Sequence, residues 1–170
     1  MDEPAAIPDL SGVRLRSYAA DDLSAVRALH RLSFARLATP RYAPAQVAAH
    51  DALIDTEDYA ADLARSHLQV AELPGLRIVG TAGWVALAEE PGTARIRKLF
   101  VSPAVARRGL ATRLLSQAEG AAKAAGHSHF LLRAYLNAVP FYEAQGYRAD
   151  QPGVMALADG LEMPVLFMSK

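Results

Sequence analysis

Residues 99–112 read LFVSPAVARRGLAT, an apolar run followed by a proline, two arginines, a glycine and small residues. This order predicts a strand, a basic loop and a helix that begins near Gly109. The first N–H groups of a helix lack intrahelical partners and lie at the positive end of its dipole, so they attract phosphate. Gly109 and Ala111 allow close approach to the main chain, and Arg107 and Arg108 add positive charge. The stretch therefore predicts an anion site; the alternative is two solvated arginines beside a simple turn.

The pattern after this loop predicts the C-terminal part of the fold. An alanine-rich stripe, which allows close packing on a sheet, predicts a helix from Gly109 to Ala125 that ends at Gly126. The elements expected beyond it are a strand over 128–134, a helix over 139–145 and strands over 147–149, 154–157 and 163–168.

Three β-rich segments lie before and within the stretch. They cover 67–73, 76–87 and 93–101 and are separated by Pro74-Gly75 and Pro91-Gly92. Such dipeptides are typical of tight turns, so the pattern predicts an antiparallel meander. In the third segment the apolar Ile96 and Leu99 would lie on opposite faces of a regular strand. A β-bulge near Arg97 would bring both onto one buried face.

The N-terminal part predicts one strand and then helices. Alternation predicts a strand over 13–17, and the pattern over 44–64 predicts one or two short helices. Between them, a helix that ends before Pro40 has these apolar positions on one face: Leu23, Val26, Leu29, Leu32 or Ser33, and Leu37. The order of elements predicts an α/β (α+β) fold, with a mixed, mostly antiparallel central sheet and helices on both faces.

Composition sets the class of protein. The chain has 170 residues, of which 52% are hydrophobic, so we expect a single domain over 13–170 after a loose leader over 1–12. Lys and Arg total 18 and Asp and Glu total 18, so no overall charge favours nucleic acid or an anionic membrane. Cysteine is absent, and no apolar run reaches the roughly 18 residues of a membrane span. We therefore expect a soluble, cytoplasmic protein without nucleic-acid or membrane partners.

A second informative stretch, residues 134–147, reads AYLNAVPFYEAQGY. Alone, it predicts an aromatic-rich helix packed into the core. Together with the basic loop it resembles the GNAT acetyltransferase superfamily, whose motifs are Gln or Arg-x-x-Gly-x-Gly or Ala and Phe-Tyr-Glu-x-x-Gly followed by Phe or Tyr. The matching residues are Arg108-Gly109-Leu110-Ala111 and Phe141-Tyr142-Glu143-Ala144-Gln145-Gly146-Tyr147, with Leu99-Phe100-Val101 as the leading strand. The likeness covers roughly residues 67–150.

The resemblance implies that the chain has the GNAT fold and binds acetyl-CoA as cosubstrate, without a metal. The pyrophosphate is implied to bind over the main-chain amides of Arg107, Arg108, Gly109, Leu110, Ala111 and Thr112. Pantetheine is implied to lie along Leu99, Phe100 and Val101 in the manner of an added strand. The family usually has Gln or Arg where this chain has Ala106, which removes one side-chain contact and leaves the amides in place.

The resemblance also implies an N-acetyltransferase in which a primary amine attacks the thioester directly in a ternary complex. A main-chain N–H near the bulge would stabilise the oxyanion, and Asn137 would contact the coenzyme. Tyr142 would hydrogen-bond to the departing thiolate. Because the ordinary pKa is about 10 for tyrosine and about 8.5 for a thiol, complete proton transfer is uphill by roughly 2 kcal/mol. The alternative function is a noncatalytic acyl-CoA sensor or binding module.

The sequence does not assign a general base. The candidates are His30, His50, His67, Glu72 and the acidic residues from Asp51 to Asp62, each of which is also explained as a surface or packing residue. Water is a further alternative. His127 and His129 are expected on one face of a strand, but without a third ligand nearby a structural role is favoured over a metal site. Trp84 is assigned to the core.

The acceptor is expected to be a small-molecule amine or a protein or peptide amine, and a homodimer is left open as the oligomeric state. The segment from Tyr42 to Ala64 contains five acidic residues and no Lys or Arg. We expect it either to attract cationic amines to the acceptor entrance or to form a solvated acidic helix face.

Overall fold

The computed structural model describes residues 9–75 and 77–170, and its central element is one seven-stranded sheet. The strands are β1 (Arg14–Ser17), β2 (His67–Leu73), β3 (Arg77–Ala86), β4 (Thr93–Val101), β5 (His129–Tyr135), β6 (Arg148–Ala156) and β7 (Glu162–Ser169). Their order is β1-β2-β3-β4-β5-β7-β6. Only the β4–β5 pair is parallel, so the mixed, mostly antiparallel sheet is confirmed.

Helices cover both faces of this sheet, as predicted. They are α1 (Leu23–Leu37), α2 (Pro44–Ile54), α3 (Glu57–Arg65), α4 (Leu110–Ala124) and α5 (Val139–Ala144). Gly80 and Thr81 are neighbours on β3 and therefore point to opposite faces. The Gly80 position faces Leu114 of α4, whereas Thr81 bonds to His30 of α1, so α1 and α4 lie on opposite sides.

The strand pair β4–β5 separates soon after it begins. Its register covers only Thr93–Arg95 against His129–Leu131. From Ile96 onwards β4 is paired with β3, and β5 is paired with β7. The sheet therefore opens between the second half of β4 and the second half of β5.

The predicted bulge lies on β4 at the edge of this opening. Gly83 pairs with Arg97 and Thr81 pairs with Phe100, so the single residue Ala82 lies opposite both Lys98 and Leu99. Lys98 has a φ of 57°, a left-handed conformation that is uncommon for a residue other than glycine. The parity argument from Ile96 and Leu99 is thus confirmed, with Lys98 as the bulged residue.

Two details of the predicted fold were wrong. On α1, Leu37 was assigned to the buried face but is 36% exposed, whereas Val26, Leu29 and Ser33, the alternative to Leu32, are buried as predicted. The late strands expected at 147–149 and 154–157 form the single strand β6. Pro152 is tolerated there because β6 is an edge strand. Gly153 lies against the ring of Phe167, where a side chain would clash.

The buried apolar residues of the described part of the chain form three clusters, of which the largest lies between the sheet and α4. Leu10 packs against it, and residues 1–8 of the predicted leader lie outside the described residues. Glu119 of α4 is buried, accepts a hydrogen bond from Tyr147 Oη (2.9 Å) and pairs with Lys170 (2.9 Å), which the sequence pattern did not indicate. Within the described part of the chain, no helix combines the length and apolarity needed to cross a membrane.

Gly80 allows α4 to pack closely on the sheet. We expect Gly80→Ala to lower the free energy of unfolding by about 1–3 kcal/mol through overpacking. The added methyl group would lie 2.7 Å from Leu114 Cδ1 and 3.3 Å from the carbonyl oxygen of Phe100. Urea denaturation measures this change. In the control Gly120→Ala, on the exposed side of α4, the methyl group meets nothing within 4 Å, so stability should rise by up to about 1 kcal/mol. Equal stability of Gly80→Ala and the parent would contradict the packing argument.

Candidate active site

Two cavities meet at the opening between β4 and β5. The larger has a volume of about 650 Å³, within the range of small-molecule sites, and the smaller has about 110 Å³. The residues that line both are Leu99, Phe100, Tyr135, Ala138 and Tyr142. These five residues thus form a shared wall, and the two cavities are adjacent to each other along it.

Most of the predicted binding residues line the larger cavity. They are Leu99, Phe100, Val101, Arg107, Gly109, Ala111, Thr112, Asn137 and Tyr142. Leu110 is 4% exposed, packs into the core and does not line the cavity. Arg108 is exposed in the same loop but does not line the cavity. Ala106, where the motif usually has a longer side chain, does line it.

The loop before α4 forms the predicted helix N-terminus. Gly109 is the N-cap residue, with a φ of 83° that favours glycine, and Arg107 also has a positive φ, of 65°. The first intrahelical bond runs from Arg113 N to Gly109 O (3.0 Å), so the N–H groups of Leu110, Ala111 and Thr112 precede it. Amides and the positive end of the helix dipole thus meet at the wall of the larger cavity.

Tyr142 and Asn137 lie opposite this loop. Tyr142 is 8% exposed, and burial raises the pKa of its phenol above the ordinary value, so the hydroxyl stays protonated and can donate a hydrogen bond. The Tyr142 ring packs at 5.6 Å against Tyr147, which fixes its position. The buried Oδ1 of Asn137 has no hydrogen-bond partner among residues 9–75 and 77–170, which leaves it available to a donor from a ligand.

A chain of buried hydrogen bonds holds the bulge from the α1 side. Thr81 Oγ1 donates to the main-chain carbonyl of Lys98 (2.6 Å), so it must accept from His30 Nε2 (2.7 Å). Burial lowers the pKa of His30 well below its ordinary value, so the ring is neutral and its Nδ1 accepts from Tyr59 Oη (2.7 Å). His30 also stacks on Phe100 at 4.1 Å. Of the two roles considered for His30 in the sequence, a base or a packing residue, the structure favours packing, because the ring supports β4.

A second buried histidine supports β5. His50 Nε2 lies 2.8 Å from Tyr135 Oη, and the ring stacks on Phe34 at 3.8 Å. Burial, assisted by the charge of Lys98, lowers the pKa of His50 to about 4. At the end of β5, Tyr42 Oη accepts from Leu136 N (2.9 Å) and donates to the carbonyl oxygen of Pro164 (2.9 Å). Both contacts fix the wall at Tyr135.

The smaller cavity has a cationic lining that sequence reasoning missed. Arg95, Arg97, Lys98 and Arg133 line it. Lys98 Nζ lies 3.1 Å from Asp62 Oδ2 and 3.6 Å from the ring centroid of Tyr59, and Arg97 also pairs with Asp62. Burial, partly offset by Asp62, lowers the pKa of Lys98 to about 8. The signal for this face was the two-residue spacing of Arg95 and Arg97 on a strand.

None of the residues considered as a general base lines either cavity. His67 stacks on the buried Trp84 at 4.1 Å, which confirms the core assignment of Trp84. Glu72 pairs with Arg16 (3.3 Å) on the far side of the sheet. The two remaining histidines do not share a strand face, because β5 begins at His129 and His127 precedes it. Among the described residues, no group of three or more His, Asp or Glu could hold a metal ion.

Ion pairs within the fold offset part of the charge of the acidic segment. Asp51 and Asp55 both pair with Arg31, at 2.6 and 2.7 Å, and Asp62 pairs with Arg97 and Lys98. Glu57 and Asp58 lie in the first turn of α3, where they complement the helix dipole. These ion pairs offset part of the negative charge of the segment, and its role in attracting cationic amines stays a prediction.

Comparisons with known proteins agree with this geometry. The sequence model of the acetyltransferase (GNAT) domain matches residues 38–163. A GCN5-related N-acetyltransferase structure from Rhodopseudomonas palustris is 27% identical, with 94% of this chain and 96% of that chain covered and a TM-score of 0.83. No curated protein sequence matches the chain.

Two more distant structures share the fold. PaiA N-acetyltransferase from Thermoplasma acidophilum, in complex with coenzyme A, is 17% identical, with 93% and 98% of the two chains covered and a TM-score of 0.74. A GNAT superfamily phosphinothricin acetyltransferase from Sinorhizobium meliloti, in complex with acetyl-CoA, is 19% identical, with 94% and 88% covered and a TM-score of 0.65.

The buried neutral histidines predict acid sensitivity. Below pH 6.5 the unfolded chain binds protons at His30 and His50 that the folded chain does not, so the free energy of unfolding falls as the pH is lowered from about 6.5 to about 4. The slope approaches about 1.4 kcal/mol per pH unit for each histidine. Denaturant titrations between pH 7 and pH 5 measure it. His50→Gln should reduce the slope, because it removes one of the two buried histidines. The same slope in parent and His50→Gln would contradict this account.

Proposed function

The chain belongs to the acetyltransferase (GNAT) family, and we propose that it transfers the acetyl group of acetyl-CoA to a primary amine. The observation that carries the proposal is the opening between β4 and β5. The N-terminus of α4, the bulge on β4 and the hydroxyl-bearing side chain of Tyr142 converge there. A cavity on each side of one shared wall suits a reaction between two bound substrates.

The larger cavity fits the donor. The amides of Leu110, Ala111 and Thr112 and the side chain of Arg107 would bind the pyrophosphate. The backbone of β4 from Leu99 to Val101, beyond its pairing with β5, would bind the pantetheine amides as an added strand. The unpartnered amide oxygen of Asn137 would accept from a pantetheine N–H.

The chemistry follows from groups at the shared wall. The thioester supplies an activated acyl group, and an amine entering from the smaller cavity would attack it directly. A main-chain N–H at the bulge would stabilise the negative charge that develops on the carbonyl oxygen. Tyr142 would donate a hydrogen bond to the departing sulfur. Because burial raises the pKa of Tyr142, complete transfer of its proton is disfavoured further than in water, so its role is hydrogen bonding.

Proton removal from the amine does not require a side-chain base at the wall. Both ring nitrogens of His30 are hydrogen-bonded within the protein. His50 bonds to Tyr135 and does not line either cavity. We therefore assign the proton to water in the open cavity.

The function is tested by following thiol release from acetyl-CoA with a panel of amines. Release that depends on the amine is expected. Binding of acetyl-CoA without amine-dependent release across the panel would instead support a noncatalytic acyl-CoA sensor.

Tyr142→Phe tests the role of the hydroxyl. We expect kcat to fall by about 10- to 100-fold, the equivalent of one hydrogen bond to a charged group, while coenzyme affinity changes little because the ring packing survives. Steady-state kinetics and calorimetry measure both. The control is Tyr147→Phe, which removes a neighbouring hydroxyl bonded to Glu119 and lies outside both cavities, so kcat should be retained. Full activity of Tyr142→Phe, with chemistry limiting the rate, would refute the assignment.

Gly109→Val tests the phosphate site at α4. The new side chain would project from a left-handed residue into the open space of the larger cavity, so coenzyme A should bind at least tenfold more weakly. Gly126→Val is a matched control, because Gly126 has a φ of 94°, open space around it and a position at the other end of α4. Both variants should lose stability, and only Gly109→Val should lose affinity in calorimetry. Equal affinity of the two variants would mean that Gly109 serves only the turn.

A further inference from the structure

We propose that the acceptor is a small amine that also carries an anionic group, a carboxylate in the simplest case, and that this group binds in the smaller cavity. The inference rests on the proposed function and adds a substrate class to it. Its basis is the placement of four cationic side chains beside the wall at Tyr142.

The strand pattern brings these cations together. Arg95 and Arg97 are two residues apart on β4 and point to the same face, and Arg97 pairs with Asp62 of α3, which identifies that face as the one covered by α1 to α3. Arg133 lies on β5 across the opening, and Lys98 is the bulged residue between them. Their convergence depends on the bulge and on the separation of the two strands.

Their positive charge is not balanced by the protein. Within residues 9–75 and 77–170 no carboxylate lines the smaller cavity, and the adjacent Asp62 is shared by Arg97 and Lys98. Among the described residues, Arg95 and Arg133 have no ion pair. Burial first, and then the neighbouring charges of Arg133 and Arg95, lower the pKa of Arg97 against the opposing effect of Asp62. With a pKa of about 8, Lys98 remains mostly protonated at neutral pH. An anion would relieve this repulsion.

Size limits the acceptor. A volume of about 110 Å³ is small beside the roughly 300–1,000 Å³ of typical drug-sized ligand sites. This space suits a carboxylate with a few carbon atoms. Arginine pairs with carboxylates in a planar, bidentate geometry, so Arg97 and Arg133 would orient the acceptor with its amine towards the wall at Tyr142. An α-amino acid is the simplest molecule that meets both requirements.

The test compares matched acceptors. The panel contains the standard α-amino acids, their carboxamides, aminophosphonates and aliphatic diamines, each assayed by thiol release from acetyl-CoA. We expect kcat/KM to be at least tenfold higher for the best amino acid than for its carboxamide, mainly through KM. The phosphonate arm separates a requirement for a carboxylate from a requirement for any anion. Equal kcat/KM for acid and carboxamide, or preference for diamines, would overturn the inference and leave the acetyltransferase proposal intact.

Variants locate the anion site. Arg133→Gln should lower kcat/KM for the amino acid at least tenfold and leave the carboxamide unaffected. Arg14→Gln, which removes the same charge from an exposed residue on the distant strand β1, should change neither. Equal losses for both acceptors in Arg133→Gln would contradict the assignment. If no amine is acetylated, the proposed function fails, and calorimetric titration of the amino acids into the protein with coenzyme A still decides whether Arg133 binds the carboxylate.

Discussion

The early separation of β4 from β5 is the constraint on which the site depends. Three residue pairs join these parallel strands. Beyond them, β4 is paired with β3 and β5 is paired with β7. The gap leaves the β4 backbone from Leu99 to Val101 available to a ligand, and it gives both cavities a common wall that includes Tyr142. A sheet paired along its full length would close this wall. The cavity at the N-terminus of α4, near Gly109, and the cavity lined by the cations would then no longer be connected.

An open strand needs support from elsewhere, and the buried polar chain on the α1 side supplies it. Thr81 accepts from His30 and donates to the carbonyl of Lys98, which fixes the bulge in its left-handed conformation. In this row of hydrogen bonds, neutral His30 donates from Nε2 and accepts at Nδ1. A buried polar group without a partner costs about 1–3 kcal/mol, so the row stabilises the fold only while His30 keeps this neutral form. Because burial also lowers the proton affinity of His30 and both ring nitrogens are hydrogen-bonded, His30 is a poor proton acceptor. His50 has the equivalent position behind Tyr135.

Local signals in the sequence predicted the elements that line the larger cavity and missed the cationic lining of the smaller one. Short-range patterns predict these elements. The alternation of strand faces predicts the bulge, and the apolar run followed by Gly109 and a helix start predicts the strand, loop and helix over 99–112. The burial of His30 and the convergence of Arg97 with Arg133 depend on contacts between distant segments, which a single sequence does not reveal. The continuous strand β6 has the same explanation, since Pro152 is compatible with a strand only because β6 lies at the edge of the sheet. The ion pairs of Asp51, Asp55 and Asp62 likewise depend on basic residues contributed by other elements, which the local composition of 42–64 does not reveal.

The most direct test of the central claim is a crystal structure of the protein with coenzyme A. The account predicts the pyrophosphate over the N–H groups of Leu110, Ala111 and Thr112. It also predicts the pantetheine arm paired with β4 from Leu99 to Val101, and the sulfur within about 3.5 Å of Tyr142 Oη. A coenzyme bound away from the opening between β4 and β5, or a sulfur that points away from Tyr142, would contradict it.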